Sequence, residues 1–253
     1  MPLKLLAFDT ATESMSVALQ AGGRVWLHDG AGGAQASATL IPVITQLLAE
    51  AGVALGELDA LAFGRGPGAF TGLRTACAVA QGLAFGASLP VLPLDSLLAV
   101  AEDARQAGAA TPLWVVVDAR MGEVYAAQYH FDGGAWRTLT EPLLATPQAL
   151  QARWRHEAPQ VLAGNALAAF GEALAAPAAS LFPQARPAAR TLLPLAAQAW
   201  AGGAAVDAAL ALPRYVRDKV AQTTAERAAV RAAGAEAIAA AGSAAAAAAG
   251  AHP

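Results

Sequence analysis

Apolar and polar positions along this chain follow two rhythms, and the switches between them mark out its elements. The opening LKLLAFDTA is an unbroken apolar run ending at Asp9 and a Thr/Ser-rich turn, the pattern of a buried strand. SMSVALQAGGRVWLHD alternates through Met15, Val17 and Leu19, turns at Gly22-Gly23 and resumes at Val25 and Leu27, which predicts a hairpin. In ATLIPVITQLLAEAG the apolar positions Leu40, Ile41, Ile44, Leu47 and Leu48 have helical spacing, with Pro42 in the first turn and Gly52 as the stop. LDALAFG reads as a short strand, GRGPGAFTGLR as a glycine-rich loop and TGLRTACAVAQGLAFG as a helix. LPVLPL and SLLAVAEDARQAG close the first half as strand and helix.

At Pro112 the pattern restarts. PLWVVVDARMGEVYAAQYHFDGGAWRTL is again strand, acidic turn, strand, Gly-Gly turn and strand, followed by QVLAGNALAAFGEALA as strand, turn and helix, then the helix TLLPLAAQAWAGG and the segment PRYVRDKVAQ. Asp9 and Asp118 end matching strands, Gly22-Gly23 matches Gly133-Gly134, and Trp26 matches Trp136. An internal duplication follows, with two similar α/β domains at residues 1–108 and 109–221 packed face to face. The alanine-rich stretch 222–253 is of low complexity and is expected to be a frayed helix or a disordered tail without chemistry.

Composition narrows the class. Hydrophobic residues make up 56% of the 253 residues and charged ones 14%, enough for a sizeable core. The hydrophobicity is mostly alanine, no convincing apolar run of about 20 residues exists, and the first apolar run is too short for a signal peptide, so a soluble cytoplasmic protein is expected. Cys77 is the only cysteine, which rules out an intramolecular disulfide, and its setting in TACAVA is that of a small core or interface residue. A net charge of −3 gives no global basic signature for nucleic acid. The local cluster Arg214, Arg217, Lys219, Arg227 and Arg231, set against Asp218 and Glu226, reads as a solvated face.

The candidate chemistry begins with GRGPGAFTGLR. It lacks the glycine spacing and the lysine of a Walker loop. Gly64, Gly66 and Ala69 meet the dinucleotide pattern on paper, but not after the first strand and with no acid before Asp95. The remaining reading is mechanical: a tight Gly66-Pro67-Gly68 turn, with Thr71 capping the next helix. On that helix Gly72, Ala76, Ala80 and Ala84 form a small-residue stripe flanked by Leu73, Cys77 and Leu83. The stripe suits close packing on the chain's own sheet, or on the sheet at one side and a partner chain at the other. Asp9 with Thr10, Thr12 and Ser14, across from Asp118, Arg120, Gly122 and Glu123, could order a metal and phosphates, or simply cap turns and form ion pairs. His28, His130, His156 and His252 have no metal-site spacing, so no resident metal is expected, and no G-x-S-x-G elbow is present.

In order along the chain, LLAFDTATESMSVAL, GRGPGAFTGLRTACAVAQGLA, VVVDARMGEVYAAQY and PRYVRDKVAQ resemble the TsaB (YeaZ) family over residues 3 to about 221. The resemblance implies a two-lobed actin-like ATPase (ASKHA) fold of duplicated ribonuclease H-like domains with mixed sheets. It implies a non-catalytic, activating subunit beside TsaD, which transfers threonylcarbamoyl to N6 of adenosine 37 in tRNAs reading codons beginning with A. TsaE is the further partner, tRNA is met through the complex, and members alone form homodimers through the same surface. The TsaD-facing helices of the family match residues 38–50 and 71–85, which implies an interface at Leu40, Ile44, Leu47, Gly72, Leu73, Ala76, Cys77, Ala80 and Leu83. Arginine at Ala76 or Ala80 is then expected to abolish assembly and leave the fold intact. No cofactor is required; any weak binding of ATP or ADP with magnesium falls to Asp9, Thr10, Thr12, Asp118 and Gly164. The alternative is an autonomous ATPase or phosphotransferase using Asp9 and Asp118. Ala69 stands where the family usually has serine and Ala36 where it often has histidine, and the turn at Gly164 lacks the Gly-Gly pair of the kinase relatives.

Overall fold

The protein is described by a computed structural model covering residues 2–33 and 35–217. Strands β1 (Leu5–Asp9), β2 (Ser14–Ala21), β3 (Arg24–Ala31), β4 (Ala60–Gly66) and β5 (Val91–Asp95) form one mixed sheet in the order β3-β2-β1-β4-β5. β1 is antiparallel to β2 and parallel to β4, so it is central, and every residue in it is buried; this is why it reads as an unbroken apolar run. β6 (Leu113–Arg120), β7 (Glu123–Phe131), β8 (Trp136–Ala145), β9 (Val161–Ala163) and β10 (Ser180–Phe182) repeat that topology in the order β10-β9-β6-β7-β8. The duplication seen in the two acidic-turn hairpins therefore extends to whole sheets.

Helices α1 (Ala36–Ala51) and α2 (Phe70–Ala87) cover one face of the first sheet, where Leu40, Ile44, Leu47, Ala76 and Ala80 pack on Leu6, Phe8, Val17, Leu61 and Phe63. α1 starts earlier than its large apolar residues indicate, because small, fully buried Ala36 belongs to the same core; Pro42 therefore lies inside the helix and not in its first turn. Helices α4 (Pro147–Trp154) and α5 (Ala166–Phe170) cover the corresponding face of the second sheet through Leu150, Trp154 and Ala166. Neither α4 nor β10 follows from hydrophobic periodicity. α4 is a short helix signalled by its ends, Thr146 capping the Ala149 N–H at 3.2 Å with Pro147 behind it, and β10 has three residues, two of them exposed.

The inner layer departs from the simple division into consecutive lobes. Helix α3 (Ser96–Gln106), at the end of the first half, buries Leu97, Val100, Ala101 and Ala104 on Val115, Val117, Ala127 and Tyr129 of the second sheet. Helix α6 (Ala189–Ala201), from the second half, buries Leu192, Leu193 and Ala196 on Leu5, Ala7, Ala62 and Leu92 of the first. Thr191 on α6 donates to the Ala99 carbonyl of α3 at 3.2 Å. After α6 the chain returns to the first lobe, where Val206 bridges Val91 and the Arg214 N–H donates to the Arg65 carbonyl at 2.7 Å. A boundary between residues 108 and 109 thus separates the two sheets but not the two cores, and Met1–Val216 forms one compact unit. The expected tail, 222–253, lies outside the described residues, as do Asp218, Lys219, Glu226, Arg227, Arg231 and His252.

Candidate functional site

The glycine-rich loop joins β4 to α2, and its close approaches are to the chain itself. A Cβ at Gly64 would stand 1.6 Å from Asp9 Oδ2, and one at Gly72 would stand 1.8 Å from the Thr10 carbonyl oxygen. The Ala69 N–H donates to the Ala11 carbonyl at 2.7 Å. At Gly64 and Gly72 the room that a phosphate would need is filled by the end of β1 and the turn after it, while Gly68 and Ala69 reach the wall of a cavity between the two acidic turns. The loop is a seam between strand and helix, not a cradle. The helix cap is Ala69 in extended conformation, without a side-chain bond; Thr71 lies one residue inside the helix and is exposed, so the expected threonine cap does not form.

Asp9 is buried and already used. Ser96 Oγ donates to Asp9 Oδ2 at 2.6 Å and the Ala11 N–H donates to Oδ1 at 2.7 Å, while Ser96 Oγ accepts the Gly66 N–H at 3.2 Å. Burial pushes the Asp9 carboxyl up to about 6, against the lowering pull of the Ser96 and Ala11 hydrogen bonds. The Thr10 hydroxyl donates to the Gly72 carbonyl at 2.7 Å. Asp9 and Thr10 therefore tie β1 to α2, α3 and the loop. Thr12, half-buried, accepts the Ser14 N–H at 3.2 Å within its own turn.

The second acidic turn is equally self-contained. Asp118 accepts the Arg120 N–H at 2.8 Å and Arg120 Nη1 at 3.0 Å, and its own N–H donates to Asn165 Oδ1 at 3.0 Å. Arg120 and Met121 hold the hairpin tip at φ +62° and +58°, a left-handed backbone that is strained for side chains of this size. Gly164 lies under the β6 backbone: a Cβ there would come within 2.2 Å of the Val116 carbonyl oxygen. Between the two turns is a cavity of about 200 Å³ lined by Thr12, Glu13, Asp118, Arg120 and Asn165 among others, and beside it one of about 190 Å³ that shares Thr12, Glu13 and Asn165. Of the five expected nucleotide residues, the structure brings only Thr12 and Asp118 to this cleft. Each cavity alone is below the roughly 300 Å³ at which small-molecule sites begin, and Asp9, Thr10 and Gly164 are not among the residues lining either. Among the described residues no group of three or more His, Cys, Asp or Glu is arranged to hold a metal ion.

The expected partner residues also lie elsewhere than anticipated. Leu40, Ile44, Leu47, Gly72, Leu73, Ala76, Cys77 and Ala80 are all buried in this chain, Ala76 and Ala80 at 0% exposure; Leu83 is half-buried. The small stripe is the face that α2 turns to its own sheet, because only small residues let the helix lie so close over Phe63 and Thr10. Cys77 donates its S–H to the Ala211 carbonyl at 2.9 Å, and burial raises its pKa. What the two helices present outward is a different set: beyond its first turn α1 exposes Ile41, Pro42, Thr45, Gln46, Ala49 and Glu50, and α2 exposes Thr71, Arg74, Ala78, Gly82, Phe85 and Gly86. Phe85 is 85% exposed and Ile41 49%.

Sequence reasoning passed over Glu13 and Asn165, which line the cleft, and misassigned Arg214. Glu13 and Asn165 meet across the cleft, with Asn165 Nδ2 donating to Glu13 Oε1 at 3.2 Å. Arg214, read as part of a solvated basic face, is instead clamped by Asp95 at 2.9 Å and by Glu141 of β8 at 2.8 Å. A signal for Glu13 existed in its place between the Thr and Ser of the first acidic turn; nothing local in the sequence points to Asn165 or Arg214.

A family model described as TsaD: tRNA N6-adenosine threonylcarbamoyltransferase matches residues 32–251. The tRNA threonylcarbamoyladenosine biosynthesis protein TsaB of Escherichia coli is 35% identical over 234 residues, which cover 87% of this chain and 96% of that protein. The protein of the same name from Haemophilus influenzae is 46% identical over 126 residues, 50% of this chain and 53% of its own. Two solved structures from Pseudomonas aeruginosa superpose over 85% of this chain and all of their own at 40% identity. One, described as an uncharacterized protein with similarity to peptidase YeaZ, has a TM-score of 0.78, and the other, YeaZ, has 0.76.

Proposed function

The chain belongs to the TsaB (YeaZ) family, and from that premise we propose that it takes part in tRNA threonylcarbamoyladenosine biosynthesis as a non-catalytic scaffold. In this reading it activates the subunit that transfers threonylcarbamoyl to N6 of adenosine 37. It works in the cytoplasm with TsaD and TsaE homologues, meets tRNA through the complex and pairs with itself when they are absent. The observation that carries the reading is the outward face of α2, where Phe85 stands 85% exposed on the same helix surface as the small residues Ala78, Gly82 and Gly86. An exposed aromatic flanked by small residues suits a protein contact, where aromatic anchors carry much of the binding energy. The proposed interface keeps the two helices implied by the family resemblance and exchanges their faces: Ile41, Ala78, Gly82 and Phe85 replace the buried stripe. The chain's own acids support the non-catalytic part, since Asp9 and Asp118 are each committed to bonds within the protein.

The test is to mix the protein with its TsaD homologue at micromolar concentration and follow size exclusion with light scattering. A heterodimer is expected. Gly82→Arg and Phe85→Asp are expected to weaken it at least about tenfold with an unchanged melting temperature, as for central interface positions. Separate elution of the wild-type pair overturns the scaffold reading; full assembly of both variants overturns the choice of face.

A further inference from the structure

The cleft between the two acidic turns is divided by one side chain. Glu13 projects from the first turn, accepts Asn165 Nδ2 through Oε1 at 3.2 Å, and places Oε2 4.0 Å from Arg120 Nη2 on the second turn. The cavities on either side, about 200 and 190 Å³, share Glu13 and Asn165 in their walls, so the bridge is their common partition. Each cavity alone is too small for an ordinary ligand, whereas the undivided cleft would reach that range. The partition is also charged. Arg120 and the Asn165 amide are the donors on the far side of the cleft that would meet a phosphate oxygen, and Glu13 already faces both. Asp118 lies beside Arg120 at 3.0 Å, and Arg186, which lines the second cavity, is paired with Asp29 at 2.7 Å. The carboxylates Glu13, Asp118 and Asp29 thus outweigh the two guanidinium groups, and an anion entering here meets net negative charge.

We propose that Glu13 is a specificity-determining residue that closes the interlobe cleft to anions, its carboxylate standing against Arg120 and Asn165 in the place of a ligand's oxygens. The chain thereby keeps the outline of a two-turn anion cleft and refuses compact polyanions. This does not depend on the partner surface proposed for α1 and α2, and it is measured on the chain alone.

The experiment is calorimetric titration of the full chain and its variants with inorganic pyrophosphate at low ionic strength. Glu13→Ala removes both the partition and the charge and is expected to bind at least about tenfold more tightly than wild type, as for deleting a like charge a few ångströms from the ligand. Glu13→Gln keeps the shape and the bond to Asn165 but not the charge, and its affinity is expected to fall between the two. Adding Arg120→Ala to Glu13→Ala is expected to cancel the gain. Glu13 is exposed, so both single variants are expected to keep the wild-type melting temperature; the near-isosteric glutamine supplies the test if alanine disturbs the turn. Equal affinity in wild type and both variants overturns the proposal, and so does a gain that survives Arg120→Ala.

Discussion

Asp9 shows what a single residue's surroundings decide. An acid at the end of a central strand is a reasonable candidate for metal or phosphate work, but here its oxygens are spent on Ser96 and Ala11 and its flank is closed by Gly64. Ser96 is 87 residues away in sequence, which is why the commitment was not visible locally. The buried carboxyl has consequences for stability. Its folded pKa, about 6, lies above the usual value of 3.8, so between those values the folded chain holds a proton that the unfolded chain has released. The contribution of Asp9 to stability is therefore greatest below about pH 4 and is lost as pH rises through about 6, by about 3 kcal/mol in all. Asp9→Asn is expected to flatten that part of the pH dependence and to raise stability at pH 7 relative to wild type. Urea unfolding between pH 4 and 7 measures it; an unchanged slope in the variant means that Asp9 is not the group responsible.

Helix α2 carries the lesson at the scale of an element. Its existence and near-uniform apolarity were legible, and so was the stripe of Gly72, Ala76, Ala80 and Ala84. Which side of the helix faced inward was not, because both sides are rich in small residues and an alanine-rich helix has little contrast to orient it. The sheet settled the matter: Gly72 is the one residue that can sit against the Thr10 carbonyl, and its stripe follows it inward. The expectation that arginine at Ala76 or Ala80 would spare the fold is accordingly reversed. Either substitution buries an unpaired charge and is expected to cost about 4 kcal/mol or more, whereas Ala78→Arg on the outer face should stay within about 0.5 kcal/mol. Thermal or urea unfolding of the three variants separates the two faces. Equal stability of Ala76→Arg and Ala78→Arg would mean that α2 does not turn its small stripe to the sheet.

At the scale of the molecule, the exchange of inner helices governs cooperativity. Since α3 completes the second core and α6 the first, neither sheet keeps its core if the other half unfolds. The unit Met1–Val216 is expected to unfold in one transition, with near- and far-ultraviolet circular dichroism coincident; two separated transitions would contradict it. Arg214 strengthens the junction by pairing with Asp95 of the first lobe and Glu141 of the second. Arg214→Ala is expected to lower stability by about 2 kcal/mol, as for losing charge-assisted hydrogen bonds. Glu141→Ala should lower it by only about 0.5 kcal/mol, because that carboxylate is 72% exposed to water.

The sequence by itself determined most of the strands and the pairing within the hairpins, the duplication of the two acidic-turn hairpins, most of the helices and membership of the family. These rest on local periodicity and on short motifs that survive in one dimension. Only the tertiary structure decided which face of α2 is free, which helix completes which core, and that Asp9 is consumed while Glu13 stands in the cleft. Those outcomes depend on approaches between residues distant in sequence, at distances set by the packing of one backbone against another, and no periodic pattern encodes them.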